Sequence, residues 1–417
     1  MREGWKTTTI GDECELLNGY AFKSSDYVPH GGILNFRVTN INWDGTVDIE
    51  KDVEYLPADF AKEYDKYLLN ENDILFVMVG ATRGKFAIIP KHILPALMNQ
   101  NMWRIVPKNK QIDKYFLYCY LRSKLSILFE QNEDQARGFF KKSDFNALPL
   151  CLPPLPEQRR IAYVLSTVQK AIEQQDKLIR ATTELKKTLM QKLFTEGTKG
   201  EKQKMTEIGP VPESWEVVEL SQVCEKPQYG FTDSAAPTGN AKFLRITDIT
   251  EFGVNWNDVP FCNCHDLIRY ELRDRDIVFA RIGATTGKSY LIKNPPKSVY
   301  ASYLIRVRCK QEMLPEFLIY YFASEQYWQQ IDATKGNNLK GGVNGSILSK
   351  LKTSKPSIEE QKSIADTFKA LDKKLSYYLK KKNTLTSLFR TLLHELMTGA
   401  RRVHEIEFEK MPEAANA

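Results

Sequence analysis

The sequence predicts an α+β protein: two duplicated mixed α/β domains separated by two long helices that pack as an antiparallel coiled coil. Three observations carry that expectation. The segment DILFVMVGATRGK, starting at Asp73, returns as DIVFARIGATTGK at Asp276, and LPEQRRIA at Leu155 returns as IEEQKSIA at Ile358, both displaced by 203 residues. Chance similarity would not give a Gly-rich stretch and a helical stretch the same offset, so a whole unit has been duplicated. Short apolar runs punctuated by Gly, Asn and Pro fill the first part of each copy, and a Gly- and Pro-free stretch with apolar steps of three and four fills the second.

Earlier blocks complete the repeat. Phe36–Ile41 reappears as Leu244–Ile249 at an offset of 208, and Trp5–Cys14 as Trp215–Cys224 at 210, so the second copy is a few residues shorter ahead of Asp276. Differences of that size belong in surface loops. Residues 1–152 are the first mixed domain, 153–197 the first helix, 198–213 a linker rich in Lys, Glu, Gly and Pro, 214–355 the second mixed domain, 356–399 the second helix and 400–417 a tail.

Within the mixed domains, Ile74–Val79, Phe86–Ile89 and Trp103–Val106 read as strands, as do Ile277–Ile282, Ser289–Ile292 and Leu304–Val307. Aromatic stretches at Tyr115–Phe129 and Pro315–Ile331 read as helices whose aromatic stripe is core packing. In the first long helix Ile161, Leu165, Val168, Ile172, Leu185 and Leu189 form the seam; in the second, Ile364, Phe368, Leu371, Leu375, Leu385 and Leu392 do so. About 38 residues at 1.5 Å each make a rod of roughly 55–60 Å. One apolar seam needs a partner, which the other rod of the same chain or the rod of a second chain could supply.

Composition bounds the function. The 417 residues, 42% hydrophobic and 27% charged, suit a soluble chain of two to three domains. No apolar run reaches a membrane span, and MREGWKTTTI lacks the apolar core of a secretory signal. Seven cysteines, an odd number without a framework, agree with a cytoplasmic location. The net charge of +7 resides in the rods: eight basic against four acidic residues between Glu157 and Thr195, and eight against five between Glu359 and Gly399. A nucleic-acid surface on the mixed domains must therefore be a local patch.

No catalytic constellation emerges. GATRGK at Gly80 and GATTGK at Gly283 have three residues where a phosphate-binding loop needs four, and Lys85 is followed by Phe86. Cys262-Asn263-Cys264-His265 has no second ligand pair for zinc. Asn294-Pro295-Pro296 begins the Asn-Pro-Pro-aromatic motif of amino-methyltransferases, but Lys297 replaces the aromatic residue. Glu184-Leu185-Lys186 matches a nuclease element, yet it lies in a rod.

Polar side chains near the repeated turns are the candidates for touching DNA. The glycine loops offer Arg83, Lys85, Arg281, Thr286 and Lys288 to a backbone or a guanine edge; a plain hairpin turn is the equal alternative. Tyr20 and Lys23 are loosely matched by Tyr229 and Thr232, with the glycine shifted by one residue. Asn99, Gln100 and Asn101 lie where the second copy has Tyr300, Ala301 and Ser302; Arg137 and Lys340 complete the set. Arg37 and Arg245, embedded among apolar residues, read as structural.

Taken in order, these elements resemble the specificity subunit of type I restriction–modification systems. The resemblance spans the chain and rests on the duplicated Asp-Ile-Leu/Val-Phe and Gly-Ala-Thr-x-Gly-Lys, on Leu148–Ala162 and on Ile208–Val217. Departures are the loss of most prolines at Lys355–Ile358 and of the Pro before Trp5. The resemblance implies two target-recognition domains, each reading half of a bipartite double-stranded DNA site. It implies helices that set the unread gap and dock modification subunits, two in number. Those partners would carry S-adenosylmethionine and methylate adenine, and restriction subunits would add ATP- and magnesium-dependent translocation and cleavage. The chain itself would bind no cofactor and catalyse nothing. A helical scaffold that reads no DNA, a chain with its own methyltransferase or nuclease domain, and a subunit of a modification-only complex remain the competing readings.

Overall fold

The computed structural model describes residues 4–130, 140–250, 253–336 and 342–406. The chain divides into two compact units, one of residues 1–175 and 381–417 and the other of residues 176–380. Each unit therefore takes one mixed domain, one half of the first rod (Leu155–Glu196) and one half of the second (Ile358–Thr398).

In the first unit a four-stranded antiparallel sheet runs in the order Cys14–Asn18, Met102–Pro107, Ile74–Val77, Phe86–Ile88. Ile74–Val77 is an unbroken apolar run because both of its faces are covered. Ile74 and Phe76 point into one core with Trp103, Phe116 and Phe145; Leu75 and Val77 enter another with Phe36, Ala87 and Met98. A three-stranded sheet places Ile33–Phe36 between antiparallel Tyr55–Leu56 and parallel Ala96–Met98. Lys6–Thr9 pairs with Pro149–Leu152, bringing the start of the domain against its end, and the helix Lys114–Glu130 packs on the first core.

The second unit repeats this plan. Its four strands are Gln228–Tyr229, Leu304–Val307, Ile277–Ala280 and Ser289–Leu291; its three are Phe261–Cys262, Ala241–Leu244 and Ser298–Tyr300. Glu216–Glu219 pairs with Lys352–Lys355. The expected single helix over Pro315–Ile331 is two, Pro315–Tyr321 and Glu325–Gly336. Ser324 divides them: its hydroxyl accepts from the Tyr327 N–H at 3.4 Å and caps the second helix. The segment 198–213 carries a hairpin, Gln203–Thr206 with Gly209–Pro212, that buries Ile208 and Val211 in the core.

The rods run antiparallel, since the start of each lies beside the end of the other. In the first unit Ile161, Val164 and Leu165 pack with Phe389, Leu392, Leu396 and Met397, and Val168 and Ile172 flank them. In the second, Phe194 stacks on Phe368 with centroids 6.0 Å apart; Leu189 joins Ile364 and Leu371 around this pair. Losing either ring would cost about 3–5 kcal/mol. Leu375 and Leu385 are half-buried. Leu185 departs from the expected seam and is 49% exposed. Its neighbour Lys186 faces the opposite rod instead, with Nζ 2.5 Å from Asp372 Oδ1. One residue along a helix turns the side chain by about 100°.

The Glu-Gln pair at the start of each rod fastens rod to domain. Gln158 donates to the carbonyls of Gln111 and Pro153 at 3.1 and 2.9 Å and accepts from the Asp113 N–H at 3.0 Å. Gln361 makes the same three bonds, to Glu312 and Pro356 and from Leu314, at 3.1, 3.0 and 2.8 Å. The preceding carboxylate grips the chain just beyond the end of the opposite rod. Glu157 is doubly bonded by Arg402, at 2.9 and 3.0 Å. Glu360 accepts from the N–H and hydroxyl of Thr198, both at 2.9 Å, and from the Trp215 indole at 3.1 Å. Burial pushes the Glu360 carboxyl up, but these donors together with Lys199 outweigh it and hold the group below the usual range.

Candidate nucleic-acid interface

Several segments converge at one end of the four-stranded sheet. In the first unit, strand Ile74–Val77 leaves the sheet at Met78, whose N–H donates to Asn101 O at 3.1 Å and whose carbonyl accepts from Phe140 N–H at 2.8 Å. Gly19 N–H donates to Met102 O at 3.3 Å and Tyr20 N–H to Met98 O at 3.1 Å. In the second unit, Arg281 N–H donates to Tyr303 O and Val343 N–H to Arg281 O, both at 3.0 Å. Gly230 N–H donates to Leu304 O at 3.1 Å and Phe231 N–H to Tyr300 O at 2.8 Å. One backbone lattice has been built twice.

Glycine is required where the lattice is tightest. A Cβ on Gly19 would lie 1.8 Å from Asn99 O, and one on Gly230 would lie 2.2 Å from Ala301 O. These matched approaches fix the register between the copies and correct the looser alignment. Gly19 corresponds to Gly230, so Tyr20 matches Phe231 and Tyr229 matches Asn18. Met98 corresponds to Tyr300, because each pairs in parallel with the matching strand, opposite Phe36 and Leu244.

That shift explains why Tyr300 cannot face a duplex. It is wholly buried, with its hydroxyl bonded to Gln228 O at 3.2 Å and Arg306 over its ring. Thr286 is also buried, its hydroxyl donating to Gly283 O at 2.7 Å and closing its own loop. Ser302, half-buried, donates its N–H to Phe231 O. Arg137 and Lys340 lie outside the described residues.

The remaining candidates reach the surface. Both glycine loops are hairpin turns with the outer glycines at φ between 82° and 88° (Gly80, Gly84, Gly283, Gly287). The turn geometry is therefore real, and it holds Arg83 half-buried and Lys288 exposed. Lys85 lies 5.7 Å over the ring of Trp43, which is 65% exposed and which sequence reasoning missed. Tyr20 packs on Phe22, Tyr64 and Tyr67 at 4.9–5.2 Å, with Lys66 over Tyr67. Lys23, Gln100 and Asn101 are exposed, Asn101 at a φ of 72°. Asn99 is turned inward, bonded to Asn35 Oδ1 at 2.9 Å. In the second unit Thr232 is exposed, and Tyr229 carries the Arg281 guanidinium 5.1 Å above its ring.

The conspicuous repeated charges behind this surface serve the fold. Asp73 and Asp276, which open the repeated strand motif, are buried. Asp73 pairs with Lys114 and Arg104, Asp276 with Arg308 and Arg306. Arg245 is doubly bonded to Asp248 and Arg37 bonds Glu54. Cys262 and Cys264 are buried, and desolvation lifts the Cys262 thiol to about 11. Among the described residues no three His, Cys, Asp or Glu side chains are placed to hold a metal ion, and no helix is long and apolar enough to cross a membrane.

Comparison with known proteins agrees with this architecture. The MjaVIII specificity subunit of Methanocaldococcus jannaschii is 29% identical over 97% of this chain and 95% of its own length. The MjaX specificity subunit of the same organism is 28% identical over 96% and 94%. The crystal structure of a type I restriction–modification S subunit from M. genitalium superposes with a TM-score of 0.66 over 94% of this chain and 96% of that one, at 16% identity. The family model for the type I restriction modification DNA specificity domain matches residues 2–182 and again 212–387, so the chain belongs to that family, twice over.

Proposed function

We propose that each unit reads one half of a split double-stranded DNA sequence through its sheet end, while the rods set the unread gap and dock the modification subunits. One observation carries this reading. The two sheet ends share a backbone lattice yet carry different side chains: exposed Asn101 against exposed Tyr303, exposed Gln100 against half-buried Ser302, and half-buried Met78 against half-buried Arg281. A scaffold held constant while its exposed groups vary is what reading two different half-sites requires.

On this reading the chain works in the cytoplasm and performs no chemistry. Two modification subunits supply S-adenosylmethionine and methylate adenine; restriction subunits, where present, supply ATP- and magnesium-dependent translocation and cleavage. The test exchanges residues 214–355 for those of a relative with another target, and maps adenine methylation by the complex. One half of the methylated motif should change and the other should stay. A motif that changes in both halves, or in neither, overturns the reading.

A further inference from the structure

The second sheet end holds an arginine in an unusual setting. Of the seven arginines in residues 214–355, five are ion-paired: Arg245, Arg273, Arg275, Arg306 and Arg308. Arg269, without such a partner among the described residues, lies exposed on the short helix Leu267–Tyr270, its guanidinium 5.3 Å over the ring of its chain neighbour Tyr270. Arg281 also has no carboxylate partner among the described residues, and it lies on a fixed platform.

That platform is tied at both ends. Tyr229 pairs in register with Ile305, and its hydroxyl accepts from the Gly345 N–H at 2.9 Å. The main chain of Arg281 is held through both its N–H and its carbonyl. The guanidinium stacks 5.1 Å from the ring centroid, beside exposed Ile282 and Tyr303. Stacking restrains the side chain without consuming its five donors. A fork held in this way loses little conformational freedom on binding and matches the O6 and N7 acceptors of guanine in the major groove. The first unit has no counterpart, since the same positions are Asn18 and Met78.

We infer that Arg281, braced on Tyr229, is the guanine-reading residue of the half-site read by the second unit. This rests on the two-reader assignment above. The test uses the full chain co-expressed with its modification subunit, in a host free of other adenine methylation, with methylated sites mapped by sequencing. The half-motif that follows residues 214–355 in the exchange experiment should contain a guanine. In R281A that one position should become degenerate while the rest of the motif persists. R281K, which keeps the charge and loses the fork, should behave like R281A. On duplexes carrying the wild-type motif, R281A should bind about 10–100-fold more weakly. Replacing that guanine should weaken wild type by a similar factor and R281A hardly further.

Three results overturn the assignment: a half-motif without guanine, a motif unchanged in both variants, or R281K behaving as wild type. A uniform loss on all sequences with a shallower salt dependence would make Arg281 a phosphate contact, and would overturn it equally. If the exchange of 214–355 alters a half-motif but R281A does not, only the role of Arg281 falls. If neither alters it, the two-reader assignment falls as well.

Discussion

Tyr20 and Phe231 occupy the same place in the two units, next to glycines pressed against a carbonyl oxygen, yet their surroundings differ. In the first unit Tyr20 belongs to an aromatic cluster with Tyr64 and Tyr67, and exposed Gln100 and Asn101 lie beside it. In the second, Phe231 is buried against Tyr270, and exposed Tyr229 and Tyr303 lie with a half-buried Arg281. The difference separates two kinds of constraint. The glycines that let the backbone lattice close are kept in both units, while the side chains at its other positions have diverged. On the proposed reading, amide side chains on one side suit adenine and the forked cation on the other suits guanine.

The largest test of that comparison targets the shared lattice. Gly19→Ala and Gly230→Ala each push a methyl group into a backbone carbonyl that cannot rotate away. Each should cost on the order of 3 kcal/mol, read as a fall in thermal or denaturant midpoint. Two similar losses would show that the ends are built alike; a tolerated substitution at either site would break the equivalence.

A second test contrasts the carboxylates at the rod starts. Glu360 is almost wholly buried and accepts three hydrogen bonds, whereas Glu157 faces an arginine that is a third exposed. Glu360→Gln should cost about 2–3 kcal/mol and Glu157→Gln about 1 kcal/mol or less. The pH dependence follows from the sign of the shift. A carboxyl held below its unfolded value lends stability that is complete above the ordinary Glu range and is lost as pH falls through the folded value. Melting curves from pH 7 downward should therefore show a weaker acid dependence in Glu360→Gln than in wild type. Equal acid limbs would mean that the donors around Glu360 do not hold its charge.

These contrasts also show where sequence alone was enough. The shared offset of Asp73 and Leu155 with their copies disclosed the duplication, and apolar spacing disclosed the rods, because both are local patterns repeated over many residues. The sequence match sets Tyr300 against Asn99, one residue out of register; the parallel pairing opposite Leu244 sets it against Met98, and the whole strand Ser298–Tyr300 is buried. Leu185 looked like a seam residue by spacing, but the rotation between neighbours on the rod gives that place to Lys186. Gln158 and Gln361 carried no signal of their clamping role, since two of the three bonds each makes reach partners 45–49 residues away in sequence. Trp43 escaped for the same reason: only folding sets it beside Lys85.

The smallest effects should come from the loop lysines, and they sharpen the comparison most finely. Lys85 is restrained over Trp43, while Lys288, at the matching place, is exposed with no such ring among the described residues. If both touch phosphate, Lys85→Ala and Lys288→Ala should weaken binding on every sequence and leave the methylated motif intact. Each should lower the slope of log affinity against log salt by about 0.9. The loss should be greater for Lys85, which is already positioned before binding. Trp43→Ala then separates restraint from charge. It should reproduce part of the Lys85→Ala loss with the salt slope nearly unchanged, because the ammonium group remains. Binding of all three variants at wild-type strength across a salt titration would leave the glycine loops as turns alone, with the reading confined to the residues around Tyr20 and Arg281.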